Sequence, residues 1–169
     1  MREADEKLRD SRLVFYKEDI DKIDKMLEEM LRLSKAKCAL LIDKDGHLVT
    51  KQGGSSSYDT DTIAALVAGS FAATKEMARI LGEEEFSVLF HQGKKDNIHL
   101  TLVGNRTLLA IIFDDKTTVG MVRLYSNEVT KKMVNVFNEA GKKPAGSGQQ
   151  VDKGYADAAR SKVDEFFRD

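Results

Sequence analysis

The stretch DTIAALVAGSFAATKEMARIL, residues 61–81, decides the reading of this chain, because both of its faces are apolar and they differ in size. At helical spacing Ile63, Leu66, Val67, Ser70, Thr74, Met77, Ile80 and Leu81 form one stripe, the pattern of a helix laid on a core. The opposite side of such a helix is expected to be polar. Here its first half is Ala65, Ala68, Gly69 and Ala72, and only then does it turn charged with Lys75, Glu76 and Arg79. Small side chains facing away from a core let a second backbone approach closely, which suits a packing partner. Alanine also favours helices on its own account, whereas a mid-helix glycine such as Gly69 costs about 1 kcal/mol relative to alanine, so propensity and partner both stay open on these residues alone.

Outward from this stretch, 169 residues suit one domain with appended sequence. The net charge of -1, with both signs interspersed, provides neither the basic field of a nucleic-acid binder nor a polybasic membrane patch, so neither partner is expected. A single cysteine, Cys38, excludes an intrachain disulfide framework and a cysteine-based zinc site. It lies in the apolar run Cys38-Ala39-Leu40-Leu41-Ile42, where a free thiol acts as a small hydrophobe. Residues 1–11 are densely charged with no signal-peptide core, and no apolar run approaches a membrane span, so the expected location is cytoplasmic.

In chain order, residues 1–13 read as a charged arm. Ile20, Ile23, Leu27, Met30 and Leu31 define a first amphipathic helix over 17–34. Residues 38–43 and 47–52 form a hairpin about Lys44-Asp45-Gly46. Asp59, Thr60 or Asp61 can cap the central helix, and Gly82 ends it. Strands are expected at 86–91, 97–103 and 107–113, the last almost wholly apolar and therefore central in the sheet. Residues 118–125 have strand-like composition, yet Val119, Val122, Ser126, Val129, Met133, Val136, Phe137 and Ala140 keep a helical period, which predicts one long helix with Thr117 as its N-cap. Residues 141–150, with the only proline, read as a linker. Residues 151–169 resume helical spacing through Val151, Tyr155, Ala158, Ala159, Val163, Phe166 and Phe167. Such a helix either folds back on its own domain or offers Tyr155, Val163, Phe166 and Phe167 to a groove on a partner.

The order helix, two strands, helix, three strands, helix resembles that of the Roadblock/LC7 domain family, over roughly residues 14–140. The residues that carry the resemblance to its bacterial members are LLIDKDG (40–46), LVAGSFAA (66–73), ILGEEEF (80–86), FHQGKKD (90–96) and TVGMVRL (118–124). The resemblance implies an α+β fold, a profilin-like sandwich in which a five-stranded antiparallel sheet carries the first and third helices on one face and the alanine-rich helix on the other. It also implies a homodimer, paired along the edge strand at Phe86, Val88 and Phe90, with the two central helices side by side. The function it implies is activation of a small Ras-like GTPase of the MglA type, in its GTP-bound form, in bacterial cell polarity and gliding motility, with concentration at a cell pole. Carried onto this chain, the contacted surface is Ala65, Ala68, Gly69, Ala72, Lys75 and Glu76.

The residues offer little for catalysis by the chain itself. His47, His91 and His99 fall on expected strands and share no helical i, i+4 spacing, so no metal is expected. Gly53-Gly54-Ser55-Ser56-Ser57 lacks the lysine of a P-loop and Gly93-Lys94-Lys95 lacks its second half, so neither GTP nor another cofactor is expected. Arg79, Arg106 and Arg123 could each serve as an arginine finger, but solvation or a local ion pair explains each more simply. The expected activity is therefore GTPase activation by binding the aligned state of the GTPase. A non-catalytic Roadblock scaffold is the alternative, and a sensor of the PAS or profilin kind would need polar groups converging in an apolar pocket.

Overall fold

The structure is a computed structural model and describes residues 15–54, 57–142 and 150–151. The chain divides into two compact units, Ile23–Val134 and the remainder, Met1–Lys22 with Asn135–Asp169.

The elements run β1 (Phe15–Tyr16), α1 (Lys17–Ser34), β2 (Cys38–Asp43), β3 (Leu48–Gly53), α2 (Thr60–Leu81), β4 (Val88–Gln92), β5 (Asn97–Val103), β6 (Thr107–Phe113), α3 (Val119–Lys142) and β7 (Gln150–Val151). In the larger unit the five strands form one antiparallel sheet in the order β3-β2-β6-β5-β4. The apolar run of β6 is buried at every position and occupies the centre, as its composition requires. Alternation sorts side chains to the two faces. Leu40, Ile42, Leu100, Leu108 and Ala110 pack with Ala64, Val67 and Phe71 of α2. From the opposite face Thr50 Oγ1 donates to Asp24 of α1 at 2.5 Å, and His99 meets the charge of Arg123 of α3. The sheet thus carries α2 on one face and α1 with α3 on the other.

Local chemistry sets the boundaries. Asp59 is the N-cap of α2: its carboxylate accepts from the Thr62 N–H at 3.1 Å and from the Thr62 hydroxyl at 2.7 Å. Gly82 closes the helix in the left-handed conformation, φ 78°, with its N–H and that of Glu83 turned back onto the last carbonyls. Lys35 takes the same conformation after α1, φ 59°, where glycine is the usual residue. The cap of α3 is Thr118, whose hydroxyl accepts from the Met121 N–H at 3.3 Å; the expected Thr117 instead donates its N–H to the Asp114 carbonyl.

Three expectations are corrected. The edge strand begins at Val88, so Phe86 precedes it; Ser87 already spends its carbonyl on the Leu102 N–H and the Thr101 hydroxyl. The last helix continues through Lys142, beyond the expected end at 140. Val151, expected to open the tail helix, lies in a strand: Phe15 pairs with Val151 and Tyr16 with Gln150, antiparallel, within the smaller unit. Tyr155, Val163, Phe166 and Phe167 lie outside the described residues.

Candidate partner-binding face

The two faces of α2 are assigned differently by the structure than by the size of their residues. Its buried positions are Thr60, Ala64, Val67, Ala68, Phe71, Thr74 and Ala78, a stripe at three- and four-residue steps. Leu66 is 66% exposed, Met77 51%, Ile80 72% and Leu81 70%, so half of the stripe expected on the core faces outward. Ala68, expected on the free surface, is buried.

The cause is a close approach by the chain's own hairpin. Gly46, at φ +90° in the β2–β3 turn, sits so near α2 that a Cβ there would lie 3.1 Å from the Ala65 Cα and 3.4 Å from the Ala68 Cβ. Small residues do admit a second backbone, and it belongs to the same molecule. The turn is held by Asp43, whose Oδ1 accepts from the N–H groups of Asp45 and His47 at 2.9 Å each. Helix length adds to the exposure: 22 residues extend about 33 Å, whereas strands of five to seven residues reach only about 17–24 Å.

With Ala65 and Ala68 against the hairpin, Leu66, Ala73, Met77 and Ile80 form an exposed flank on the side of α2 away from that turn. Ile63, partly buried, packs against the core, as do Leu48 of β3, Leu89 of β4 and Ile98 and Leu102 of β5. β4 is an unpaired edge of the sheet, and α2 carries an exposed apolar flank. On β4, Leu89 joins the α2 core, so Phe90 points to the other face, where its ring is 42% exposed and stacks on Phe113 at 6.0 Å. Val88 is half-buried on the same strand. Ala65, Gly69, Ala72, Lys75 and Glu76 of α2 are all exposed; Glu76 accepts from Arg79 Nε at 2.9 Å. Leu66, Ala73, Met77 and Ile80 are the surface residues that the sequence reading missed. The spacing of Ala64, Val67, Phe71, Thr74 and Ala78 was the signal that could have found them, since one helix cannot bury both stripes.

Chemistry elsewhere is sparse. Asp43, Asp45 and His47 bring potential ligand atoms within 4.8 Å of one another, and His47 lies in the turn rather than on the expected strand. Asp43 is occupied in holding that turn. His91 is exposed on β4. His99 is buried on β5 with Nδ1 unpartnered, and burial, followed by the charge of Arg123, lowers its pKa. Lys37 lies 2.9 Å from Asp96, Tyr58 donates to the same carboxylate at 3.3 Å, and the ammonium stands 5.5 Å from the Tyr58 ring. This cluster ties the entry of α2 to the β4–β5 turn, and the hydrogen bond from Lys37 holds the Asp96 carboxyl below its ordinary range. Burial pushes the Cys38 thiol up to about 11. An open groove of about 240 Å³ between α1 and α3 is floored by Met26, Met30, Leu33 and Val129. Among the described residues no helix is long and apolar enough to cross a membrane.

Comparison with known proteins gives this geometry a family. The Roadblock/LC7 domain profile matches residues 22–113. Myxococcus xanthus MglB is 36% identical with a TM-score of 0.68, over 70% of this chain and 96% of that one. The gliding protein MglB from Thermus thermophilus is 32% identical with a TM-score of 0.70, over 75% and 96%. A structure described as MglB with tetrameric arrangement is 32% identical with a TM-score of 0.72, over 76% and 96%. Comparison with curated proteins finds no match. A Roadblock/LC7 domain from Streptomyces avermitilis, at 15% identity and a TM-score of 0.59, shares the fold. A sheet in the order β3-β2-β6-β5-β4 between one helix and two, matched across most of three MglB structures, places the chain in the Roadblock/LC7 domain family, among proteins similar to MglB.

Proposed function

We propose that the chain is an MglB-type regulator that acts as a homodimer on a small Ras-like GTPase of the MglA type, binding its GTP form and accelerating hydrolysis in control of cell polarity and gliding motility. What supports the dimer is an unpaired edge strand, β4, together with an exposed apolar flank of α2 in the same protomer. An edge strand unites with its own copy when both backbone and neighbouring side chains find partners, and the union covers apolar surface that a lone protomer leaves in water. In this reading Leu66, Met77 and Ile80 belong to the seam between copies, with Val88 and Phe90 on the pairing strand. Ala65, Gly69, Ala72, Lys75 and Glu76, along the crests of the paired helices, form the floor for the GTPase. Ala68 leaves that surface because the hairpin covers it.

In this reading activation needs no arginine finger from the chain. Arg79 is engaged by Glu76, Arg106 lies in the β5–β6 turn, and Arg123 stands beside His99 on the face opposite α2. Activation then comes from preferential binding of the GTPase state whose own catalytic groups are aligned. The test is single-turnover GTP hydrolysis by an MglA-type GTPase. Stimulation should survive Arg79→Ala, Arg106→Ala and Arg123→Ala within a few-fold. A loss of several hundredfold from any one of them restores the finger, and binding without stimulation makes the protein a scaffold.

A further inference from the structure

We infer that His99 is a proton-operated latch for α3: uncharged, it lets the helix lie on the sheet, and a proton on its ring lifts residues 119–134 while α2 stays seated. His99 is buried at the third position of β5. Directly paired residues of neighbouring strands share a face, and its two partners are Phe90 of β4 and Ile111 of β6, so apolar side chains flank the ring on both sides. His91, the neighbouring titratable residue on β4, pairs with Ile98 and belongs to the other face. From the helical layer α3 brings Arg123, the one charged group among the described residues that acts on the ring; α1, on the same side of the sheet, adds none. The only charge felt by an imidazolium here therefore repels it, and Nδ1 has no hydrogen-bond partner. A buried cation so placed must regain water by moving whatever covers it.

Which element yields follows from how each is held. β5 is bonded to β4 on one side and β6 on the other, so the strand that carries the ring is fixed. α3 is held over the sheet by side chains alone, Val122, Val129 and Met133 forming its buried stripe. Ser126, in the same stripe, has an Oγ without a hydrogen-bond partner, and Thr130 Oγ1 is buried without one as well. Unpaired hydroxyls weaken the seat of the helix, and both gain water when it lifts. Lifting also takes Arg123 away from the ring. The core beneath α2 is built from the other face of the sheet, by Leu40, Ile42, Leu100, Leu108 and Ala110, and is retained.

Backbone amide exchange of the full chain, each rate divided by its intrinsic value at the same pH, reads the two helices separately. The lifted form takes up its proton near pH 6.5, so one proton multiplies the open population at about pH 5 by up to about thirtyfold over that at about pH 7.5. Wild type should lose protection over 119–134 by about tenfold or more at the lower pH, while 60–81 changes by no more than about threefold. His99→Gln, neutral at both values, should keep α3 protected. Arg123→Gln, at an exposed position and therefore sparing the fold even where His99→Gln does not, should lose less protection than wild type because the repelling charge is gone. A wild-type α3 that stays protected in acid overturns the latch. So does equal loosening of α2 and α3, or a loss in α3 as large in either variant as in wild type.

Discussion

Replacing Gly46 by alanine should destabilise the fold strongly, because two independent effects act at one position. Its φ of +90° is a conformation that L side chains rarely adopt, and the left-handed side of the map costs about 1–2 kcal/mol for a residue with a Cβ. The added methyl would stand 3.1 Å from the Ala65 Cα and 3.4 Å from the Ala68 Cβ. The nearer neighbour is backbone, which cannot rotate aside, so either the hairpin or the helix must shift; overpacking of this kind costs about 1–3 kcal/mol. Together the expected loss is about 2–5 kcal/mol. Urea unfolding at fixed protein concentration measures it, since a dimer makes apparent stability depend on concentration. Gly54→Ala is the control: it has no positive φ and nothing within 4 Å, so it should be neutral or slightly stabilising. Equal midpoints for the two variants would refute the account of why the alanine stripe faces the hairpin.

Titration and capping give three further expected outcomes. His99 should stay neutral in the folded protein below pH 6.5, because its folded pKa is lowered by burial and Arg123; the unfolded chain therefore takes up the proton first, and stability, full above the unfolded value, falls as pH drops from about 6.5 toward the folded pKa. Imidazole NMR titration, compared with acid unfolding of His99→Gln, reads this directly, and a His99 that titrates like a free histidine contradicts it. Cys38, buried and pushed up to about 11, should be unreactive toward a thiol-disulfide reagent at pH 8 until the protein unfolds. Asp59→Ala should lower the melting temperature while Asp59→Asn preserves it near neutral pH, since either Asp or Asn caps α2. The hydrogen bonds from Thr62 depress the Asp59 pKa, so the wild-type advantage over Ala is present above the unfolded value and fades as pH falls through the folded one.

Much of the fold could be read from residue patterns, and the site only in part, for reasons visible in particular elements. The unbroken apolar run of β6 and the alternation of β5 announce a central strand and its neighbour, because side-chain period and burial are coupled in a sheet. Residues 119–125 are helical despite their β-branched composition because Val122, Ser126, Val129 and Met133 share one buried face. The orientation of α2 was harder: two apolar stripes compete for one core, and what decides between them is the turn at Gly46, which lies in another element and close only in space. The ladder between β1 and β7 joins two pairs of residues far apart in sequence, too few to carry any period. Of the surface inferred from the family, Ala65, Gly69, Ala72, Lys75 and Glu76 are exposed, whereas Ala68 is inside and Phe86 precedes the edge strand.

The account turns on a shape made by two copies of α2, and light scattering of the protein with a GTP-analogue-loaded MglA-type GTPase tests that most directly. Wild type should be a dimer alone and should gain the mass of the GTPase when mixed, while Leu66→Glu, a charge placed on an exposed position of the seam, should be a folded monomer that binds no GTPase. A wild-type monomer, or a Leu66→Glu protein that keeps both its partner copy and the GTPase, would contradict the account.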